Sequence, residues 1–243
     1  MQSQYGMIGG TGEVLSGTQI LNGFDVYYPS DFYDLNIGPQ VSGGPSGQPG
    51  LKFILDPTLG NIYDWVGGLT IRNLRTIFCQ PGIWMTGQNF GATGATWQVW
   101  NMIMEHIRFV TGSGGIKVDI GDQAPAQGNG QWEIYATDIA AQGTNGRVWE
   151  TYPSTRGFLQ GVLFEGCGAG SDYVFYAKNL AVADPGFFIN EYSEGDNANA
   201  TKSAFFQSGY PEVRDFHHHN SIDISGAGGY YEFALQSGGT GSI

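Results

Sequence analysis

Six stretches of the chain repeat one short pattern: a polar or small residue, two apolar residues spaced by one, a loose turn, a glycine, and a second apolar run. The copies begin at Asn73-Leu-Arg-Thr-Ile, His106-Ile-Arg-Phe, Asp138-Ile-Ala-Ala, Gly161-Val-Leu-Phe, Asn179-Leu-Ala-Val and Ser221-Ile-Asp-Ile. A glycine follows each leading residue by seven to nine positions, as at Gly82, Gly115, Gly146, Gly170, Gly186 and Gly229. A recurring unit of this size cannot bury its apolar side chains alone, so it implies one supersecondary module stacked on copies of itself. The leads stand 18 to 42 residues apart. Regular content with irregular length suits a β-solenoid, whose coils keep their strands and vary their loops. It suits a propeller less, because blades are near constant in length.

Period-2 alternation supports strands, as in Leu69-Thr-Ile-Arg-Asn-Leu, Trp97-Gln-Val-Trp-Asn-Met-Ile-Met and Gln131-Trp-Glu-Ile-Tyr-Ala. No window carries a helical stripe. With 40 glycines the chain is rich in turns, and 13% charged with 14% aromatic residues argues against disorder. The net charge of −12 disfavours nucleic acid and anionic lipid as partners. No apolar run is long enough to span a membrane, and the N-terminus Met1-Gln-Ser-Gln-Tyr lacks the marks of a signal peptide. Cys79 and Cys167 read as small buried fillers rather than a disulfide framework.

Residues 1–50 are polar and weakly periodic, and read as an irregular cap or attachment segment. Residues 51–236 carry the repeats, and 237–243 form a flexible Ser-Gly-Gly tail.

The units at Asn73-Leu-Arg-Thr-Ile, Asn179-Leu-Ala-Val and Asn220-Ser-Ile-Asp-Ile, each with its turn and Gly-apolar-x-apolar run, resemble coils of the right-handed parallel β-helix. This is the pectate-lyase-like fold, shared with bacteriophage tailspikes and other virion spikes. The resemblance covers roughly residues 51–235 and carries no catalytic signature. The expected fold is therefore all-β, a single-stranded right-handed parallel β-helix of about seven coils.

Stacked coils turn equivalent residues into columns. On the first strand of each unit the inward column would be Leu74, Ile107, Ile139, Val162, Leu180 and Ile222, and the outward one Arg75, Arg108, Ala140, Leu163, Ala181 and Asp223. The small apolar stretch Ala140–Leu163–Ala181 is a candidate subunit interface. By resemblance to virion spikes, that interface is three-fold and the chain a homotrimer. On the second strand the outward column would be Trp84, Lys117, Trp149, Phe188 and Glu232, with Asp119, Thr151 and Asn190 next to it. Aromatic faces beside polar groups suit a sugar, so Trp84, Lys117, Trp149, Phe188 and Asn190 are glycan-binding candidates.

Cleavage of a glycan needs paired carboxylates, and Asp119, Glu133 and Glu150 are the candidates on adjacent coils. Lyase chemistry would draw on Lys117 beside Asp119. The run Asp215-Phe-His217-His218-His219 puts His217 and His219 on one side of a strand, where three chains on an axis could offer imidazoles to one metal ion. No other cofactor is implied. The expected function is that of a virion structural protein: a phage spike, tailspike or capsid decoration. It would be released by lysis, contact other virion proteins, and bind cell-surface polysaccharide. A polysaccharide lyase or glycosidase and a non-catalytic carbohydrate-binding module are the alternatives.

Overall fold

The computed structural model describes residues 7–13, 18–21, 31–38, 49–55, 65–67, 69–87, 98–119, 131–152, 154–168, 174–177, 187–195, 205–207, 212–217 and 222–223. Among them the regular structure is all strand: β1 (Met7–Glu13), β2 (Thr18–Leu21), β3 (Asp31–Gly38), β4 (Leu51–Leu55), β5 (Trp65–Gly67), β6 (Thr70–Ile77), β7 (Ile83–Gly87), β8 (Gln98–Val110) and β9 (Ile116–Val118). Then follow β10 (Gln131–Gln142), β11 (Trp149–Thr151), β12 (Ser154–Glu165), β13 (Phe175–Ala177), β14 (Phe187–Gly195), β15 (Phe205–Gln207), β16 (Glu212–His217) and β17 (Ile222–Asp223). Among the described residues no helix is long and apolar enough to cross a membrane.

Two parallel sheets hold these strands. The first runs β1-β3-β6-β8-β10-β12-β14-β16, with β5 also paired to β8, and the second runs β2-β4-β7-β9-β11-β13-β15-β17. Apart from β5, the chain alternates between them and advances by one strand in each at every pass. The repeat thus becomes a ladder, with Leu74 opposite Ile107, Ile107 opposite Ile139, and Ile139 opposite Val162.

The long strands of the first sheet bend at one shared position. Asp34, Asn73, His106, Asp138 and Glu191 have φ of 54°, 54°, 56°, 55° and 60°, and Gly161 has 67°. The flanking registers place these six residues side by side on successive strands. Asn, Asp and His tolerate this left-handed conformation better than other side chains, and glycine adopts it freely. The leading residues of the repeats are therefore the bends. Side chains cross-link them: Asn73 Nδ2 donates to Asp34 Oδ1 at 2.8 Å, and His106 Nδ1 lies 2.7 Å from Asp138 Oδ2.

Two expectations need correcting here. After Gly161 the next bend is Glu191, followed in register by Asp215, whereas the expected leads Asn179 and Ser221 lie outside the described residues. Leu180 lies outside the described residues, and Ile222 belongs to the second sheet opposite Phe205. The positions that continue the Leu74 column are Tyr192 and Phe216. Likewise the residue opposite Gly115 is Val148, not Gly146, because Trp149 pairs with Ile116.

Both sheets share one buried core. The first contributes Ile71, Met104, Ala136, Leu159 and Ile189 from one column, and the second contributes Leu51, Ile83, Ile116, Trp149 and Phe175. Each large side chain so buried contributes about 1.5–3 kcal/mol. Gly82 is required because any Cβ there would overlap the Phe109 ring, and at Gly115 it would sit 2.9 Å from Phe109 Cδ2.

At the corner that follows, Ser113 N–H donates to the Cys79 carbonyl, Asn145 N–H to Gly112 and Gly168 N–H to Thr144. Cys79 and Cys167 are thus buried in one column but three strand spacings apart, or roughly 14 Å. That exceeds the reach of a disulfide, and both are free thiols.

Candidate ligand groove on the second sheet

The corner at Gln80–Gly82 and its equivalents deliver the chain into the second sheet, whose outward column reads Lys52, Trp84, Lys117, Glu150, Tyr176. Beside this column lies a groove of about 430 Å³ lined by Gln80, Pro81, Trp84, Ser113, Gly114, Lys117, Arg147 and Glu150. The alternation Ile83-in, Trp84-out, Met85-in places the functional side chains outside while their neighbours anchor the strand in the core.

The groove is charged in both senses. Arg147 Nη1 lies 2.8 Å from Glu150 Oε1, and Tyr152 donates its hydroxyl to the same oxygen at 2.6 Å while accepting from Arg147 at 3.0 Å. Burial raises the Tyr152 phenol, and its bond to the Glu150 carboxylate raises it further. The Arg147 guanidinium also stacks 3.9 Å from the Tyr176 ring centre. At the other end Asp119 accepts from the Trp84 indole N–H at 2.8 Å and from the Thr86 hydroxyl, and lies 3.8 Å from Lys117 Nζ. Trp84 is in turn approached by Lys52 Nζ at 4.1 Å and Lys117 Nζ at 5.4 Å from its ring centre, one from each neighbouring strand.

Four of the sequence candidates meet here: Asp119 and Glu150, with Trp84 and Lys117. Asp119 and Glu150 sit diagonally on adjacent strands, since Glu150 pairs with Lys117, two residues before Asp119. Each carboxylate is already an acceptor for two fixed donors, so Glu150 braces the groove wall and Asp119 braces Trp84.

The other candidates fall elsewhere. Trp149 does not face a ligand: it is fully buried and stacks on Phe175 with ring centres 5.6 Å apart. Glu133 lies on β10 in the first sheet, opposite Arg156 and away from Asp119 and Glu150. Phe188 and Asn190 also belong to the first sheet, on β14, opposite Phe158 and Gln160. Ala140 and Leu163 are direct neighbours on the outer column Arg75–Arg108–Ala140–Leu163, where Leu163 is 46% exposed. Ser193 and His217 continue that column, in place of the expected Ala181 and Asp223. Ala181 and His219 lie outside the described residues, as does Glu232. Among the described residues no three His, Cys, Asp or Glu side chains gather as metal ligands.

Sequence reasoning missed Arg147, Tyr152 and Lys52. Arg147 and Glu150 are three apart across a corner, and only the register of β9 with β11 reveals that both face Lys117.

Compared with family models, with curated proteins and with solved structures, the chain matches none.

Proposed function

We propose that the chain is a right-handed parallel β-helix of about eight turns, one per strand pair on the two sheet paths, that serves as a displayed structural protein of a virion: a spike, tailspike or capsid decoration that holds to cell-surface glycan. The observation that carries this reading is the parallel, in-register pairing, which lines up equivalent residues as columns along the stack. Right-handedness follows from the rule that crossovers between parallel strands of one sheet take that hand about 98% of the time. The resemblance of the unit led by Asn73 to coils of the β-helix, a fold that virion spikes share, supports the virion assignment, and such a protein reaches the outside by lysis.

The outer column through Ala140 and Leu163 supplies the contact face of a homotrimer. Leu163 is among the most exposed large apolar side chains of the described residues, and Ala140 beside it leaves room for a partner's backbone. Light scattering of the purified chain tests this: the expected particle contains three copies, and Leu163→Asp shifts it to single copies. A monomer at high concentration overturns the reading.

A depolymerase is the second reading, favoured by Lys117 and Glu150 lining one groove, with Asp119 beside Lys117. It requires sugar release from cell-surface polysaccharide that Glu150→Gln or Asp119→Asn abolishes, with the fold intact. A metal on a three-fold axis at His217 and His219 belongs to the trimer reading, and a bound metal lost on His217→Ala is its test.

A further inference from the structure

We propose that the outer face of the first sheet, ahead of the bend, binds an extended neutral polysaccharide along a strip centred on Tyr135 and Phe158. This rests on the reading of the chain as a displayed glycan-holding protein, and assigns that role to a surface other than the groove.

Three observations combine. Register places Ile103, Tyr135, Phe158 and Phe188 side by side on β8, β10, β12 and β14. Tyr135 is 41% exposed, and Ile103 and Phe158 are half-buried, so apolar surface is presented on consecutive strands about 4.8 Å apart. The adjoining column toward the bend is Glu105, Thr137, Gln160 and Asn190, in which Glu105 is held by Arg72 Nε at 2.6 Å. A hydroxyl and two amides therefore run parallel to the aromatic strip. Rings offer faces to the C–H side of successive sugars, while the amides and hydroxyl exchange hydrogen bonds with their hydroxyls. A polymer lying across β10, β12 and β14 would meet an aromatic residue and a neutral polar one at each step.

Charge selects the class of sugar. Charges beside the strip come in both signs, since register sets Glu133 opposite Arg156 and Arg214 next to Asn190 while Arg72 holds Glu105, so the selection rests on the chain's net charge of −12. Carboxylated or sulfated polymers are repelled by that net charge, and uncharged ones are not. The groove on the second sheet differs in kind, since the Trp84 ring is flanked by two ammonium groups.

Native gel electrophoresis in gels containing hydroxyethyl cellulose, dextran, galactomannan or alginate tests the assignment. The intact chain should be retarded by at least one of the three neutral polymers and not by alginate. Tyr135→Ala and Gln160→Ala, with thermal unfolding unchanged, should each weaken retardation at least tenfold. Retardation by alginate alone, by none of the four, or by neutral polymers undiminished in both variants overturns the proposal. Loss in Arg147→Ala with retention in Tyr135→Ala also overturns it, by moving the site to the groove. The copy number in solution is read independently, so the trimer can stand or fall separately.

Discussion

Asp138 shows how a bend residue is held. Arg108 Nη2 reaches both of its carboxylate oxygens at 2.8 Å, and His106 adds a contact at 2.7 Å. The hydrogen bond from Arg108 is the main reason its carboxyl titrates below the ordinary 3.8, with desolvation opposing and His106 assisting. The unfolded chain therefore takes up this proton at higher pH than the folded one. The stabilisation is complete above the ordinary value and drains away as pH falls through the lowered one. With the side chain 40% exposed, screening limits it. Asp138→Asn should cost about 0.5–1 kcal/mol in urea unfolding at neutral pH, with the gap closing as pH falls below the ordinary carboxylate range. A gap that persists in acid would assign the loss to the bend's backbone rather than to charge. Cys79 is set the opposite way, since burial pushes its thiol up to about 11, partly offset by a backbone hydrogen bond at Ile77. Only thiolate reacts with iodoacetamide. The folded chain should stay unlabelled at mildly alkaline pH and be alkylated at both cysteines once urea unfolds it. Labelling of the native protein would contradict the burial of the corner.

Strand β11 is where reading by sequence and by register part company. Val148 and Trp149 are consecutive and both buried, because the chain is still rounding the corner at Val148. Placing Trp149 in one outward column with Lys117 sets it one residue out of register, since its partner is Ile116, and such a slip turns every side chain to the other face. The consequence is measurable: Trp149→Ala should cost about 3–5 kcal/mol in chemical unfolding, as a large core truncation does, and should leave saccharide retention intact while the protein is folded. A change under 1 kcal/mol would place the indole at the surface after all. Elsewhere the element pattern was legible for physical reasons. Asn73, His106, Asp138 and Gly161 each combine a residue that tolerates the left-handed bend with an apolar pair behind it, so leads, inward column and outward column were all readable on β6, β8, β10 and β12. Glu191 was not, because glutamate has no special preference for that bend and Asn179 offers a better local imitation. Asp119, Lys117 and Trp84 were readable from alternation alone, whereas Arg147 needed knowledge of a corner that no local pattern encodes.

At the scale of the whole molecule, stability is passed along rather than shared equally. Each strand bonds to its neighbours in the sheet, so cohesion is a sum of nearest-neighbour terms, as in repeat proteins generally. Those terms are unequal. β8, β10 and β12 are the longest strands, at 13, 12 and 12 residues, and they pair with each other along most of their length on both sides of the bend. The second sheet is thinner, since β9, β11 and β13 are three residues each and rely on Ile116, Trp149 and Phe175 stacked beneath them. Opening should therefore begin away from the middle of the first sheet. Amide hydrogen exchange under native conditions should be slowest in β8, β10 and β12 and quicken toward β1 and β16. Trp149→Ala sharpens the test, because its lost contacts belong to adjacent passes. Protection should fall first in β9, β11 and β13 and only weakly in β4, three strands away along the same sheet. Equal loss along the whole stack would mean that the chain unfolds as one unit, and that neighbour-by-neighbour cohesion is not what holds it together.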